Sequence, residues 1–147
     1  MQIRKATMTD LPALADLFDQ YRMFYNQASD KSGAMYFLRN RMGKKESVIL
    51  VAEDNNQLTG FTQLYPVFSS VSMQRAWLLN DLYVIKSYRN TGIAASLLEA
   101  ARVFGKETLS KWLLLQTSND NSTAQRVYEK NGWKKETDIF YRLDIQV

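Results

Sequence analysis

Neither cysteine nor histidine occurs among the 147 residues. The first absence excludes a disulfide framework and a thiol nucleophile. The second removes the commonest general base and the Ser–His catalytic pair, and together they remove zinc sites built on imidazole or thiolate. No Asp/Glu loop of the calcium-binding type is present either, so no metal is expected. Acid–base chemistry is left to Asp, Glu, Tyr, Lys, the termini or water. No run of 18 apolar residues occurs, which excludes a spanning helix and predicts no membrane association. The start, Met1-Gln2-Ile3-Arg4-Lys5, passes straight into an alternating segment and reads as no secretory leader. With cysteine absent, this favours the cytoplasm. No internal repeat, low-complexity stretch or linker is visible.

What remains is ordinary globular composition, 46% hydrophobic and 23% charged. The expectation is one domain over residues 1–147, large enough to bury a core. The net charge of +4 fits either a solvated surface or attraction to an anionic partner. A nucleotide with several phosphates is such a partner. The basic residues form no stripe with interleaved aromatics and no nucleic-acid-binding signature, so no nucleic acid is expected.

Hydrophobic periodicity gives the element order. Residues 2–7 read as a strand. Thr9 is a candidate N-cap, with Asp10 and Pro12 in the first turn of a helix that carries Leu11, Leu14, Phe18, Tyr21 and Tyr25 on one stripe. Met35 to Met42 reads as a second short helix. Ser47–Ala52 and Leu58–Tyr65 read as a hairpin around Asp54-Asn55-Asn56-Gln57, with Pro66 limiting two-sided pairing. Residues 75–85 are the strongest strand, followed by a helix over Thr91–Phe104. Trp112–Gln116 is a continuous apolar run, expected as a central strand covered on both faces. A helix over Ser122–Lys130, ended by Asn131-Gly132, precedes two short strands at 133–137 and 139–145. The order β-α-α-β-β-β-α-β-α-β-β implies an α+β (mixed α/β) fold. Its sheet would have about seven strands, mostly antiparallel, with helices on both faces and a parallel pair between 75–85 and the 111–117 run.

Two stretches carry chemistry. Arg89-Asn90-Thr91-Gly92-Ile93-Ala94 follows the strong strand and opens a helix, where unpaired backbone N–H groups favour a pyrophosphate. Gly92 lets a phosphate approach the backbone, Arg89 adds charge at the lip, and Thr91 either caps the helix or offers its hydroxyl. This is neither an ATP-binding P-loop nor a three-glycine dinucleotide turn. The second stretch is Asn121-x-x-Ala124-x-x-x-Tyr128 with Gly132-Trp133 behind it.

Together these stretches resemble the GNAT superfamily of acyl-CoA-dependent N-acyltransferases. That family carries Arg/Gln-x-x-Gly-x-Gly/Ala, matched by Arg89, Gly92 and Ala94. It also carries Asn-x-x-Ala-x-x-x-Tyr before Gly-Phe/Trp, matched by Asn121, Ala124, Tyr128, Gly132 and Trp133. The resemblance implies acetyl-CoA as co-substrate. Backbone groups of Leu82, Tyr83 and Val84 would hold its pantetheine arm, and N–H groups from Asn90, Thr91, Gly92, Ile93, Ala94 and Ala95 its pyrophosphate. Asn121 would bond the pantetheine amide and Tyr128 would face the thioester sulfur, while Leu79–Val84 is similar to the small-amine acetyltransferases.

The expected reaction is direct attack of a primary amine on acetyl-CoA in a ternary complex, with Asp81 and Tyr128 as catalytic residues. Asp81 either orients the amine or a relaying water, or merely fixes the strand. Asn80 points to the opposite face unless a bulge moves one of them. Tyr128 either stabilises the leaving thiolate or is an edge-of-core tyrosine. The acceptor is expected beside Tyr25, Tyr65, Asn80 and Asp81, with Arg22 as a clamp for a carboxylate. It is an amino acid, an amino-acid-like molecule or a di/polyamine. The alternatives are a CoA-binding regulatory or inactive module, and an enzyme for protein N-termini or lysines. An edge strand and aromatics near the C-terminus favour a homodimer.

Overall fold

The structure is a computed structural model that describes residues 1–146. The chain divides into a first compact unit, residues 1–116, and a second that begins at Thr117.

The first unit is an α+β arrangement around five strands in spatial order β1-β2-β3-β4-β5. They are β1 (Gln2–Lys5), β2 (Val48–Asp54), β3 (Gln57–Ser69), β4 (Gln74–Val84) and β5 (Leu113–Leu114). The first four pair antiparallel, and β5 lies parallel to β4. The β2–β3 connection is a two-residue turn in which Asn55 and Asn56 are both left-handed (φ 49° and 60°), the geometry that suits hairpin twist. Pairing of β2 to β3 ends at Leu64, two residues before Pro66, and β3 continues against β4 alone.

Helices α1 (Leu11–Phe24) and α2 (Lys31–Gly43) cover one face of the sheet. Leu14, Leu17 and Phe18 of α1 and Ala34 and Leu38 of α2 pack on Ile49, Val51 and Phe61. The alternate residues Leu50 and Ala52 are buried on the opposite face, which α3 (Ile93–Glu107) covers through Leu97, Leu98, Ala101 and Phe104. The Phe104 ring lies 4.9 Å from that of Trp77.

Four expectations are corrected. Residues 133–137 and 139–145 form no strand among the described residues, so the sheet has five strands and not seven. The alternation of Ile139, Tyr141, Leu143 and Ile145 suits a strand, but a strand exists only through its partner, and these side chains are exposed. The 111–117 run pairs over Leu113–Leu114 only, at the sheet edge and half-buried, because its ladder meets only Trp77 and Leu78 of β4, with one further bond from the Lys111 N–H to the Arg75 carbonyl (2.7 Å). The first helix begins differently as well. A 3₁₀ turn (Met8–Asp10) precedes α1, and the Asp10 carboxylate accepts from the Thr7 N–H (2.7 Å) and from the two terminal nitrogens of the Arg4 guanidinium (2.8 Å each). Thr7 and not Thr9 therefore marks the helix entrance. Helix α2 starts four residues before Met35 because Asp30 accepts from the Gly33 N–H at 2.9 Å.

The α1–α2 connection hangs on one carboxylate. Asp19, 2% exposed, accepts from the Ser29 hydroxyl and the Asp30 N–H, both at 2.7 Å. These two donors hold its carboxyl below the usual carboxylate range. Asp19→Ala leaves both unsatisfied, and a loss of about 3 kcal/mol in urea denaturation is expected. Because the folded-state pKa is lowered, this contribution is present above the ordinary Asp value and fades as pH falls through the folded one. The gap between wild type and Asp19→Ala should therefore narrow in acid.

Candidate active site

The centre of the site is set by a defect in the sheet. Gln63 pairs with Asp81 but Leu64 pairs with Leu79, so Asn80 is an extra residue in β4. In a regular strand Trp77, Leu79, Asp81 and Tyr83 would share the α3 face. The bulge reverses the phase. Trp77 stays beside Phe104 of α3, whereas Tyr83 packs on the α1/α2 cluster. Asp81, opposite Gln63, turns to the same side and meets Tyr21 of α1.

Asp81 is 2% exposed. The Gln63 amide donates to its Oδ2 at 2.6 Å and the Asn80 amide to its Oδ1 at 2.7 Å. The Tyr21 hydroxyl also bonds the carboxylate and lies 3.4 Å from the Asn80 carbonyl oxygen. Behind Gln63, the Ser47 hydroxyl donates to its Oε1 at 2.8 Å. Burial pushes the Asp81 carboxyl up from its ordinary value, and the bonds from Asn80, Gln63 and Tyr21 oppose that. Burial, and next the negative charge of Asp81, raise the Tyr21 phenol; the same two causes push Tyr65 up to about 12, against the pull of Arg41. Tyr25 is exposed and meets Tyr21 edge-on, ring centroids 5.1 Å apart.

Beside Asp81, β4 has an uncovered edge. In an antiparallel ladder the N–H and C=O of each residue point to one side, alternating along the strand. The Asp81 carbonyl accepts from the Thr62 side-chain hydroxyl of β3 (2.8 Å) and the Ile85 N–H donates to the Thr59 carbonyl of β3 (2.9 Å). The main chain of Tyr83, between them, faces β3 too, and that of Leu82 and Val84 faces away. On that side β5 pairs with Trp77 and Leu78 only, so no strand covers Leu82 to Val84 among the described residues. The Arg89 Nε donates to the Val84 carbonyl at 3.0 Å, with its guanidinium 5.6 Å from the Tyr83 ring centroid and 5.7 Å from that of Phe24.

The chain then makes a 3₁₀ turn (Lys86–Tyr88) and two left-handed steps, Asn90 (φ 62°) and Gly92 (φ 86°), before α3 begins at Ile93. The Ser96 N–H bonds to the Gly92 carbonyl (3.0 Å), so the N–H groups of Ile93, Ala94 and Ala95 precede the first intrahelical bond. No side chain caps this end; the Thr91 hydroxyl donates to the Tyr88 carbonyl instead. A Cβ built on Gly92 meets nothing within 4 Å, so the space before these amides is open.

In the second unit, Asn121 caps α4 (Ser122–Lys130) by accepting from the Ala124 N–H at 3.2 Å. Gly132 (φ 88°) turns the chain so that the Trp133 N–H bonds to the Tyr128 carbonyl (3.0 Å) and the two rings lie 6.4 Å apart.

Of the residues expected around the acceptor, the structure gathers Asn80, Asp81 and Tyr65, with Tyr25 one ring away. Arg22 instead donates to the Ala28 carbonyl at 3.3 Å. Arg41, beside Tyr65, escaped the sequence reading, as did Ser47 and Gln63. The one available signal for Gln63 was a large polar side chain inside an apolar strand.

Residues 45–135 match the acetyltransferase (GNAT) domain family. The chain is 48% identical over 146 residues to the uncharacterized N-acetyltransferase YhfO of Bacillus subtilis, covering 99% of this chain and 98% of that one. It is 33% identical to a probable acetyltransferase of Haemophilus influenzae, covering 91% and 90%. A crystal structure of a probable acetyltransferase superposes with a TM-score of 0.95 at 41% identity, over 100% of this chain and 99% of that one. Both sequence and architecture therefore lead to one conclusion: the chain belongs to the GNAT acetyltransferase family.

Proposed function

We propose that this acyltransferase moves the acetyl group of acetyl-CoA to the primary amine of a small molecule, by direct attack in a ternary complex. The observation that carries the reading is the buried, hydrogen-bonded Asp81 beside the uncovered edge of β4, eleven positions before the open amide cluster at Gly92. In this reading the N–H groups of residues 90–95 take the pyrophosphate. The Leu82 and Val84 main chain lines up the pantetheine arm, and the Leu82 N–H polarises the thioester carbonyl. Asn121 bonds the pantetheine amide.

The amine must be neutral to attack. An alkylammonium titrates near 10.4 and an ordinary Asp near 3.9, a gap of about 6 units or roughly 9 kcal/mol. Burial of Asp81 narrows that gap from the Asp side, and a water relay carries the proton outward to solvent. The nitrogen lone pair forms the bond to the thioester carbon, the C–S bond breaks, and the amine proton leaves through Asp81. The thiolate, whose acid ordinarily titrates near 8.5, takes a strong hydrogen bond from the Tyr128 phenol. The acceptor enters past Tyr21, Tyr25 and Tyr65. With Arg41 facing Tyr65, an acceptor that also carries a carboxylate is favoured over a bare polyamine.

The protein is proposed to work in the cytoplasm as a single-domain homodimer. The exposed residues Ile139, Phe140, Tyr141, Leu143 and Ile145 support self-association, which sedimentation would read.

The test is release of free CoA from acetyl-CoA over a panel of amino acids, diamines and peptides. Turnover confined to peptides would move the acceptor to protein, and CoA binding without turnover on any amine would make this a binding module. Within the active panel, Tyr128→Phe is expected to lower kcat between tenfold and a hundredfold, on the order of one proton-donor's worth. CoA affinity by calorimetry should stay within about twofold. Undiminished turnover would remove the phenol from the reaction.

A further inference from the structure

A carboxylate only accepts hydrogen bonds, so the amide of Gln63 must present its NH₂ to Asp81 and its carbonyl to the opposite side. That opposite side is not left open. The Ser47 hydroxyl donates to it at 2.8 Å, and the whole chain Ser47–Gln63–Asp81 is buried, Gln63 completely. Ser47 precedes β2, Gln63 lies in β3 and Asp81 in β4, so three segments are aligned by one row of bonds across the sheet. If burial alone mattered, an apolar residue opposite Asp81 would do. A glutamine engaged at both ends is held in place beside Asp81, and the acceptor-only carboxylate selects the end that faces it.

From this geometry we infer that Gln63, pinned by Ser47, is a positioning residue for Asp81, keeping the carboxylate ionised and aimed while the amine is held. The inference rests on the reading of Asp81 as the proton acceptor. The groups that face Asp81 from the surrounding elements are Tyr21 of α1, Gln63 and Tyr65 of β3 and Asn80 of β4. Tyr25 adjoins Tyr21, and Arg41 of α2 faces Tyr65. Both Tyr21 and Tyr65 hold their protons to well above pH 9. A titration at this point of the sheet below the range of the phenols therefore belongs to Asp81.

The test follows the Asp81 side-chain carboxyl by ¹³C NMR through a pH titration of the full-length protein, beside the pH profile of kcat/KM. Gln63→Met keeps the length and removes the donor. Its Asp81 midpoint should rise by about one to two pH units, the worth of a hydrogen bond to a charged group. Activity should fall about tenfold or more on the acid side of the profile and recover as pH rises, with the KM for acetyl-CoA unchanged. Ser47→Ala, a smaller change that keeps Gln63, should move the midpoint the same way by less. A midpoint that stays put in both folded variants overturns the proposal. So does a loss of activity equal at every pH, the mark of a merely structural role. If Asp81→Asn proves fully active, Asp81 is not the base; the NMR midpoints then still decide whether Gln63 holds it.

Discussion

Asp81→Asn is expected to lower kcat/KM at least a hundredfold at pH 7 while making the protein more stable. The activity term is the contribution of a positioned base. The stability term has the opposite sign because the folded protein raises the Asp81 pKa by burial. In the unfolded chain the carboxyl ionises near its ordinary value, about 3.9. From there up to its folded value, each rise in pH favours the unfolded chain, and above the folded value the penalty is constant. Asparagine has no proton to lose, so the gain over wild type should grow from near pH 4 and level off once the native carboxyl ionises. The amide also fits the site. Gln63 can turn its carbonyl to the new NH₂, because the Ser47 hydroxyl on its far side accepts as readily as it donates. The pH profile supplies an independent check. A variant without its base depends on amine that is already neutral, a fraction that rises about tenfold per pH unit below 10.4. Its activity should climb with that slope where the wild type has flattened. Wild-type activity at pH 7 would remove Asp81 from the reaction, and a lower melting temperature across the range would refute the burial penalty.

What could be read from the chain divides by distance along it. The β4–loop–α3 passage was legible because its cause is local: a strong strand, a glycine and a helix stripe lie within thirty residues. The side of the sheet that Asp81 takes was not, since it depends on the Asn80 bulge, and a bulge is defined only against β3. The Ser47–Gln63 row was hidden for the same reason. Its members lie 16 and 18 residues apart and meet only when β2, β3 and β4 pair. Helical spacing places Arg22 among the aromatics, but could not show that its guanidinium also reaches the Ala28 carbonyl, six residues on. Residues 139–145 misled for a different reason. Alternation is a property of the sequence, but pairing is a property of two segments.

Gly92→Ala should weaken CoA binding at least tenfold, and a second glycine shows how to separate the cause. At φ 86° any residue with a Cβ is strained by about 1–2 kcal/mol. Strain alone would lower stability and leave affinity to follow indirectly. Gly132 has nearly the same conformation (φ 88°), likewise with nothing within 4 Å of an added Cβ, but it ends α4 and does not begin a helix. Gly132→Ala therefore carries the backbone penalty without a proposed phosphate in front of it. The two variants should lose similar stability in urea, and only Gly92→Ala should lose CoA affinity in calorimetry. In the proposed reading its methyl group crowds the approach of a pyrophosphate to the N–H groups of Ile93, Ala94 and Ala95. A tenfold loss corresponds to about 1.4 kcal/mol, less than two neutral hydrogen bonds. Dephospho-CoA, which keeps the pyrophosphate, should show the same loss. Pantetheine, which has none, should bind both proteins equally. Equal CoA affinity in wild type and Gly92→Ala would mean that the diphosphate lies elsewhere.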